Sequence, residues 1–219
     1  KNLPVGSCQY SDICIFSFHP VKIITTGEGG IAVTKSKLIA NKLQRFRSHG
    51  IHSIKKNMRK RSADEIWNYQ QVSIGLNYRM TDIAASLGFS QMKKLDAFVD
   101  KRRKIANFYT TRLKNLPIRT QYEIADSKST FHLYVIRLDL KNKKLFQKTV
   151  YYKLTKLGIL VNIHYIPVYR QPFYEDMGFR AGHCPEAESY FKEALSIPIY
   201  PDMTKDDLIY VSDSIEKVL

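Results

Sequence analysis

A single lysine lies between two segments that are typical of buried β-strands. Lys22 occurs in the stretch ICIFSFHPVKIITTGEGGIAVT, where residues 13–18 and 30–34 are almost entirely apolar or β-prone and the residues between them favour turns. Such continuous runs predict strands that are buried on both faces. The lysine then has two interpretations: a loop residue whose ammonium group lies in water, or a residue held in a cleft, whose amine attacks a carbonyl group.

The composition allows one large domain or two small ones. The chain has 219 residues, of which 44% are apolar, enough for a substantial core. There is no apolar run of about 18 residues and no leader pattern, so we expect no membrane segment. Three cysteines, Cys8, Cys14 and Cys184, lack the spacing of metal ligands and indicate the reduced thiols of a cytoplasmic protein.

The charge of the chain favours anionic partners. Against 20 Asp and Glu there are 35 Lys and Arg, which gives a formal net charge of +15 and attracts nucleic acid, acidic membranes or phosphorylated small molecules. The densest basic cluster is KKNMRKR at residues 55–61, which is typical of a solvated loop. It lacks the interleaved aromatic residues of a single-strand binder and any zinc-finger or RNA-recognition pattern, so nucleic acid is a less favoured partner.

The first half of the chain predicts two helices. Residues 35–48 have apolar positions at helical spacing, and residues 48–71 are polar and irregular. Thr81 then offers an N-cap for one long helix that continues to about Leu116, where Pro117 ends it. A helix of about 30 residues spans ~45 Å, a length that suits a connector between two domains.

The second half predicts an α+β module. Residues 131–140 alternate like a half-exposed strand, and residues 143–157 form a helix that ends at Gly158. The remaining predictions are a strand at residues 160–168 that is broken by Pro167, a short helix at residues 186–195, and a helix at residues 204–219 that begins with the capping sequence TKDD.

Four stretches together resemble one family. FSFHPVKIITTGEGGIAVT is similar to the lysine segment of the DegT/DnrJ/StrS nucleotide-sugar aminotransferases, and LNYRMTDIAASLGFSQMKKLDAFVDKRRKIA to the segment that enters their interdomain helix. IHYIPVYRQPFY and ALSIPIYPDMT resemble their small-domain signatures. The resemblance implies an α/β fold, that of the pyridoxal 5′-phosphate (PLP)-dependent transferases of fold type I. On this basis residues 1–80 are the C-terminal part of the large domain, residues 81–116 the interdomain helix, and residues 117–219 the small α+β domain.

The same resemblance assigns roles around the cofactor. Lys22 matches the lysine that condenses with the PLP aldehyde and afterwards moves a proton between the substrate carbon and the cofactor. Ser17 matches a serine that reaches the cofactor phosphate, although a strand-end hydroxyl is more often satisfied by backbone. Asn77 matches an asparagine that reaches into the neighbouring subunit's active site and contacts the cofactor phosphate there, which implies a homodimer with shared active sites. By itself, Asn77 is typical of a turn.

Substrate-binding residues are implied in both halves. His164 and Tyr165 match a segment that lines the sugar-nucleotide pocket, although a strand histidine is more often packed in a core. Arg79 would pair with the substrate diphosphate or with a nearby carboxylate. His19 would contact the cofactor or shape the turn, and Gly29 and Gly30 permit positive φ and close backbone approach. Within the family, the nearest similarity is to enzymes that aminate a UDP-linked 4-keto-6-deoxy sugar on the pseudaminic acid route, with glutamate as amino donor.

The resemblance covers only the C-terminal portion of the family's chain. Its members carry a preceding region that supplies most of the central sheet, a phosphate-binding turn and the Asp that pairs with the pyridine nitrogen. We therefore expect a fragment, one product of a split gene that needs its N-terminal partner, or a remnant. Two other functions remain as alternatives: a basic nucleic-acid-binding module, and a non-catalytic paralogue that only dimerises.

Overall fold

The computed structural model describes residues 3–62, 64, 69–140 and 146–219. It divides into two compact units, Lys1–Leu95 and Asp96–Leu219, each of which is described by itself. The domain limits expected from the resemblance, at residues 80 and 116, stay predictions. Among the described residues no helix combines the length and the apolar character needed to cross a membrane.

The first unit is built on a two-stranded antiparallel hairpin. Strand β1 (Cys14–Ser17) pairs with β2 (Gly30–Val33), and Phe16 lies opposite Ile31. The remaining elements are helix α1 (Lys37–Phe46), strands β3 (Ile51–His52) and β4 (Gln70–Gln71), which pair with each other, a 3-10 turn at Lys55–Asn57, and helix α2 (Asp82–Met92). The side chains of Ser36 and Thr81 cap α1 and α2 by accepting from Ile39 N–H and Ala84 N–H.

The prediction that the first strands are buried on both faces is wrong. Ile15 is 77% exposed and Ile31 is 46% exposed. Within the described residues β1 and β2 pair only with each other, so no further strand extends their sheet. Apolar side chains of β1 and β2 are therefore exposed in this unit, although their sequence is typical of strands buried on both faces.

The second unit is a three-stranded antiparallel sheet covered by helices. Its sheet has the order β5 (Ile118–Arg119), β6 (Tyr134–Leu138), β7 (Ala194–Ile197). Its helices are α3 (Leu95–Arg112, which begins at the last residue of the first unit), α4 (Gln147–Lys156), α5 (Pro172–Asp176), α6 (Pro185–Glu193) and α7 (Lys205–Val218), with a 3-10 turn at Val168–Arg170. Tyr109, Ile136, Leu154, Leu195 and Ile215, each at most 1% exposed, belong to one continuous core.

The single long helix predicted from Thr81 is two helices. α2 ends at Met92, Lys94 N–H closes a tight turn on Gln91 O at 2.9 Å, and α3 begins at Leu95. Met92 and Leu95 are three residues apart, which is also the apolar spacing of an unbroken helix. The apolar periodicity therefore continues across the turn between α2 and α3, and the sequence pattern alone does not indicate that the helix is interrupted there.

Two strand predictions in the second unit are corrected. β6 is almost wholly buried rather than half-exposed, because Arg137 on its second face contacts α6, through Glu193 at 2.8 Å and the ring of Tyr190. Residues 160–168 form only an isolated bridge, Asn162 opposite Ser196. The strand that pairs with β6 on the side away from β5 is instead β7, whose first two residues lie within the predicted helix 186–195.

Other predictions are confirmed. The helix expected over residues 35–48 is α1, and that expected over residues 143–157 is α4 for its described part, residues 146 onward. Gly158 has a φ of +74° just after α4, as a left-handed cap requires. Thr204 and Asp207 form a capping box at the start of α7. The bonds that Thr204 makes to the Asp207 carboxylate hold the pKa of that carboxyl below its usual value.

Candidate functional site

Lys22 lies in a turn that follows β1. Its backbone N–H donates to His19 O at 2.9 Å, and its side chain is half-buried. Among the described residues, no hydrogen bond or ion pair engages its amine. The turn therefore presents a primary amine whose bonding capacity remains available for a ligand.

The loop after Lys22 is tied to the end of β1. Phe18 N–H donates to Gly29 O at 2.9 Å, and Phe18 O accepts from Thr26 N–H at 3.0 Å and from the Thr25 hydroxyl at 2.8 Å. The buried Thr26 hydroxyl in turn donates to Glu28 O at 2.7 Å. These bonds fix the segment between the two strands and explain why it is rich in turn-forming residues.

Close packing explains the two glycines singled out in the sequence. Gly29 has a φ of +147°, and a β-carbon there would lie 2.6 Å from the Met80 methyl carbon and from Thr26 Oγ1. A β-carbon on Gly30 would lie 2.7 Å from Phe16 O. The predicted positive φ is confirmed at Gly29 and the predicted close backbone approach at Gly30, whereas Gly30 does not have a positive φ. The packing of Met80 fixes the loop against the segment that leads into α2.

Ser17 ends β1 and is exposed. Its Oγ accepts a hydrogen bond from His19 N–H at 3.3 Å. No contact among the described residues uses the proton of the hydroxyl. The backbone therefore occupies the acceptor side of Ser17, as the alternative interpretation expected, and leaves the donor side for a ligand.

Asn77 and Arg79 lie on the segment that pairs with the end of α1. Asn77 forms an isolated antiparallel bridge with Ser48, and Tyr78 N–H donates to Arg47 O at 2.9 Å. Neither the Asn77 amide nor the Arg79 guanidinium has a partner among the described residues, so the predicted alternative of a carboxylate partner for Arg79 is not found in that part of the chain. Both side chains are exposed.

One cavity brings Arg79 together with the glycine loop. It has a volume of about 960 Å³, and its lining includes Arg79, Glu28, Gly29 and Gly30. Lys22, Ser17 and Asn77 are not among its lining residues. Arg47 and Tyr78 line the same cavity, and neither was predicted from the sequence; the signal that could have indicated Tyr78 is its adjacency to Arg79.

His164 and Tyr165 belong to the second unit, whereas Lys22, Ser17 and Arg79 belong to the first. His164 Nδ1 lies 2.7 Å from the buried Ser196 Oγ, and its ring packs edge-on against that of Tyr165 at 4.6 Å. Tyr165 is 70% exposed. His164 is thus fixed by the sheet, and Tyr165 presents an aromatic surface to solvent.

The first unit offers donors of several chemical types. A primary amine, a hydroxyl, an amide and a guanidinium, from Lys22, Ser17, Asn77 and Arg79, have unused donor capacity. Such a set suits a ligand that combines a carbonyl group with phosphate. No group of three or more His, Cys, Asp or Glu is arranged to hold a metal ion in the part of the chain that the structure describes.

Known proteins are similar to this chain over nearly its whole length. The model of the DegT/DnrJ/EryC1/StrS aminotransferase family matches residues 3–216. The UDP-4-amino-4,6-dideoxy-N-acetyl-beta-L-altrosamine transaminase of Campylobacter jejuni is 37% identical over 100% of this chain and 55% of its own length.

Two solved structures are similar. Helicobacter pylori PseC, described as an aminotransferase involved in the biosynthesis of pseudoaminic acid, has a TM-score of 0.84 and 30% identity over 95% of this chain and 53% of its own. A sugar aminotransferase from Streptococcus pneumoniae, solved in a PLP form, has a TM-score of 0.83 and 27% identity over 100% of this chain and 55% of its own. The chain spans about half the length of the relatives it matches.

Proposed function

This chain belongs to the DegT/DnrJ/EryC1/StrS aminotransferase family, and we propose that it takes part in transferring an amino group to a keto sugar carried by a nucleotide. Enzymes of this family depend on PLP and share the fold of type I PLP-dependent transferases. The available amine of Lys22, on a turn fixed between β1 and the glycine loop, is the observation that carries the proposal.

The residues of the first unit fit the cofactor. Its aldehyde requires a primary amine, which Lys22 supplies, and its phosphate requires donors, which the Ser17 hydroxyl and the Asn77 amide supply. Asn77 would serve the site of a second subunit, so the active enzyme is a homodimer with shared sites. When bound, the cofactor ring accepts the electron pair left on the substrate carbon as that carbon loses its proton.

Lys22 also performs the proton transfer. With the cofactor bound, the Lys22 amine would lie next to it and would carry a proton from one carbon atom to another. This role needs an amine that can give up and take back a proton, and a guanidinium cannot fill it because it stays protonated. An arginine at position 22 would therefore preserve charge and lose the chemistry.

The substrate is a UDP-linked 4-keto-6-deoxy sugar, and the amino donor is glutamate. The C. jejuni relative is named for a UDP-linked 4-amino-4,6-dideoxy sugar, which is the aminated form of such a substrate. Arg79 would bind the diphosphate, and His164 and Tyr165 would line the sugar-nucleotide pocket, where the exposed ring of Tyr165 offers a stacking surface. The amino sugar would be formed in the cytoplasm. It would be used in the biosynthesis of pseudaminic acid, a surface polysaccharide or a flagellin glycan.

Product analysis tests the proposal. The protein is incubated with PLP, glutamate and the UDP-4-keto-6-deoxy sugar, and amino sugar and 2-oxoglutarate are measured together. Equal amounts of the two products support the proposal, and the Lys22→Arg variant should form neither. Amino sugar formed equally well by the variant would contradict it. The GDP-linked sugar, offered in parallel, tests the choice of nucleotide.

A further inference from the structure

Three hydrogen bonds to one residue hold the turn that carries Lys22. His19 O accepts the Lys22 N–H at 2.9 Å, and the His19 N–H donates to Ser17 Oγ at 3.3 Å. The third bond uses the imidazole, since Val21 N–H donates to His19 Nδ1 at 3.3 Å. His19 therefore connects the end of β1 with both residues that follow Pro20.

The Val21 contact determines the tautomer of the ring. A backbone N–H can only donate, so Nδ1 must offer a lone pair. A neutral ring then carries its proton on Nε2, which lies 4.0 Å from Glu28 Oε1. Glu28 belongs to the glycine loop, whose Gly29 O accepts the Phe18 N–H at 2.9 Å. The ring thus has one nitrogen turned toward the lysine turn and the other toward the glycine loop.

We propose that His19 is a positioning residue, which holds the Lys22 turn through the unprotonated Nδ1. The inference rests on the proposed function, in which the Lys22 amine must meet a fixed carbonyl carbon. Glu28 is 84% exposed in its side chain, so its contact with the ring is solvent-screened and weak. The acceptor at Nδ1 is the feature that matters, because it fixes the amide next to the lysine.

This inference predicts that an asparagine can replace His19 and an alanine cannot. A side-chain oxygen of Asn accepts from the N–H two residues further on, as in an Asx turn, and so replaces the Nδ1 contact. Alanine keeps the backbone bonds and removes only the side-chain acceptor. Glu28→Gln keeps a polar partner for Nε2 and is the matched control for the weaker contact.

Hydrogen exchange of backbone amides in the cofactor-free protein gives a readout that does not depend on catalysis. In His19→Ala the exchange of the Val21 amide should rise by roughly fivefold, the value expected for one lost hydrogen bond. In His19→Asn and Glu28→Gln it should stay close to wild type. The amides of Phe16 and Ile31, which lie opposite each other in the hairpin, report whether each variant keeps its fold.

A second readout links the turn to the amine. Lys22 is labelled with PLP and borohydride, and the labelled fraction is measured by peptide mass spectrometry. It should fall in His19→Ala and recover in His19→Asn. If both variants behave alike, or if Val21 exchange is unchanged in His19→Ala, the inference is overturned. A wild-type protein whose Lys22 takes no label would refute the proposed function, while the amide exchange would still decide the role of His19.

Discussion

Ser48 and Asn77 face each other in an isolated antiparallel bridge. The bridge joins the end of α1 to the segment that carries Asn77, and two glycines make the approach possible. A β-carbon on Gly75 would collide with the backbone of Gly50, and a β-carbon on Gly50 would collide with Ser73 O. The position of the predicted phosphate-binding asparagine therefore depends on two residues that have no side chain.

Gly50→Ala should destabilise the first unit strongly. Gly50 has a φ of +70°, so alanine there carries the backbone strain of a left-handed residue in addition to the collision with Ser73 O. Gly27→Ala is the matched control, since Gly27 has a φ of +79° and nothing within 4 Å of its β-carbon position. In urea unfolding we expect about 1 kcal/mol of destabilisation for Gly27→Ala and at least about 2 kcal/mol more for Gly50→Ala. Equal losses of unfolding free energy in the two variants would show that the approach of residue 50 to Ser73 O does not affect stability.

Buried Arg102 should be a main contributor to the stability of the second unit. Its guanidinium donates to the carbonyl oxygens of Phe131, His132 and Ile199 at 3.1, 3.2 and 3.0 Å, and burial lowers its pKa. Arg102→Ala removes all three hydrogen bonds, at an expected cost of about 2–4 kcal/mol in urea unfolding. The exposed neighbour Lys104 provides the control, with a change within about 0.5 kcal/mol for Lys104→Ala. A loss for Arg102→Ala no larger than that of the control would contradict this assignment.

Lowering the pH should remove the contribution of the Glu123 carboxylate to the free energy of unfolding. Its carboxylate accepts two bonds from Arg103 at 2.8 and 3.0 Å and one from Ser129 N–H, and the Arg103 bonds are the first cause that lowers the pKa of Glu123 from 4.5 to about 2. A depressed pKa stabilises the fold above the unfolded-state value and ceases to do so as pH falls through the folded-state value. The wild type should therefore exceed Glu123→Gln in unfolding free energy above about pH 5, and the difference should vanish below about pH 2. A difference that is independent of pH would refute the role of the charge.

Features that depend on a few neighbouring residues follow from the sequence, whereas features that depend on tertiary packing do not. Capping residues such as Thr204 and the cap glycine Gly158 act within one turn of chain, so sequence was sufficient to place them. Burial depends on what packs above a strand. Arg137 reads as a solvent-facing residue until α6 is seen against it, and Ile15 reads as buried although 77% of its surface is exposed.

Part of the candidate site was also predictable. Lys22 stands out because it follows a strand and precedes a glycine loop, and the family resemblance adds Ser17, Asn77 and Arg79. The cavity shared by Arg79 and the glycine loop could not be inferred, because it depends on the packing of Met80 and Thr26 around Gly29. The ring contact of His19 likewise depends on a turn geometry that residue types do not specify.

The basic loop should be dispensable for amino transfer. Lys55, Lys56 and Arg59 are exposed, and the loop is held by its backbone, since the Gln70 side chain bonds Arg59 N–H at 2.7 Å and Arg59 O at 2.8 Å. We expect Lys55→Glu/Lys56→Glu to leave the rate of amino transfer within about twofold of wild type. Nucleic-acid affinity should be non-specific, with a Kd of about 10⁻⁴–10⁻⁶ M that weakens steeply with salt. Tight, sequence-selective binding that the double variant abolishes would favour the nucleic-acid alternative.

The position that reacts with the cofactor is the most direct test of the account. The protein is mixed with one equivalent of PLP, reduced with borohydride, digested, and analysed by mass spectrometry to locate the label. The account predicts that the label lies on Lys22, that the exposed Lys55 and Lys56 are labelled only when PLP is in large excess, and that Lys22→Arg remains unlabelled at one equivalent. A label on another lysine, or none at Lys22, would contradict it.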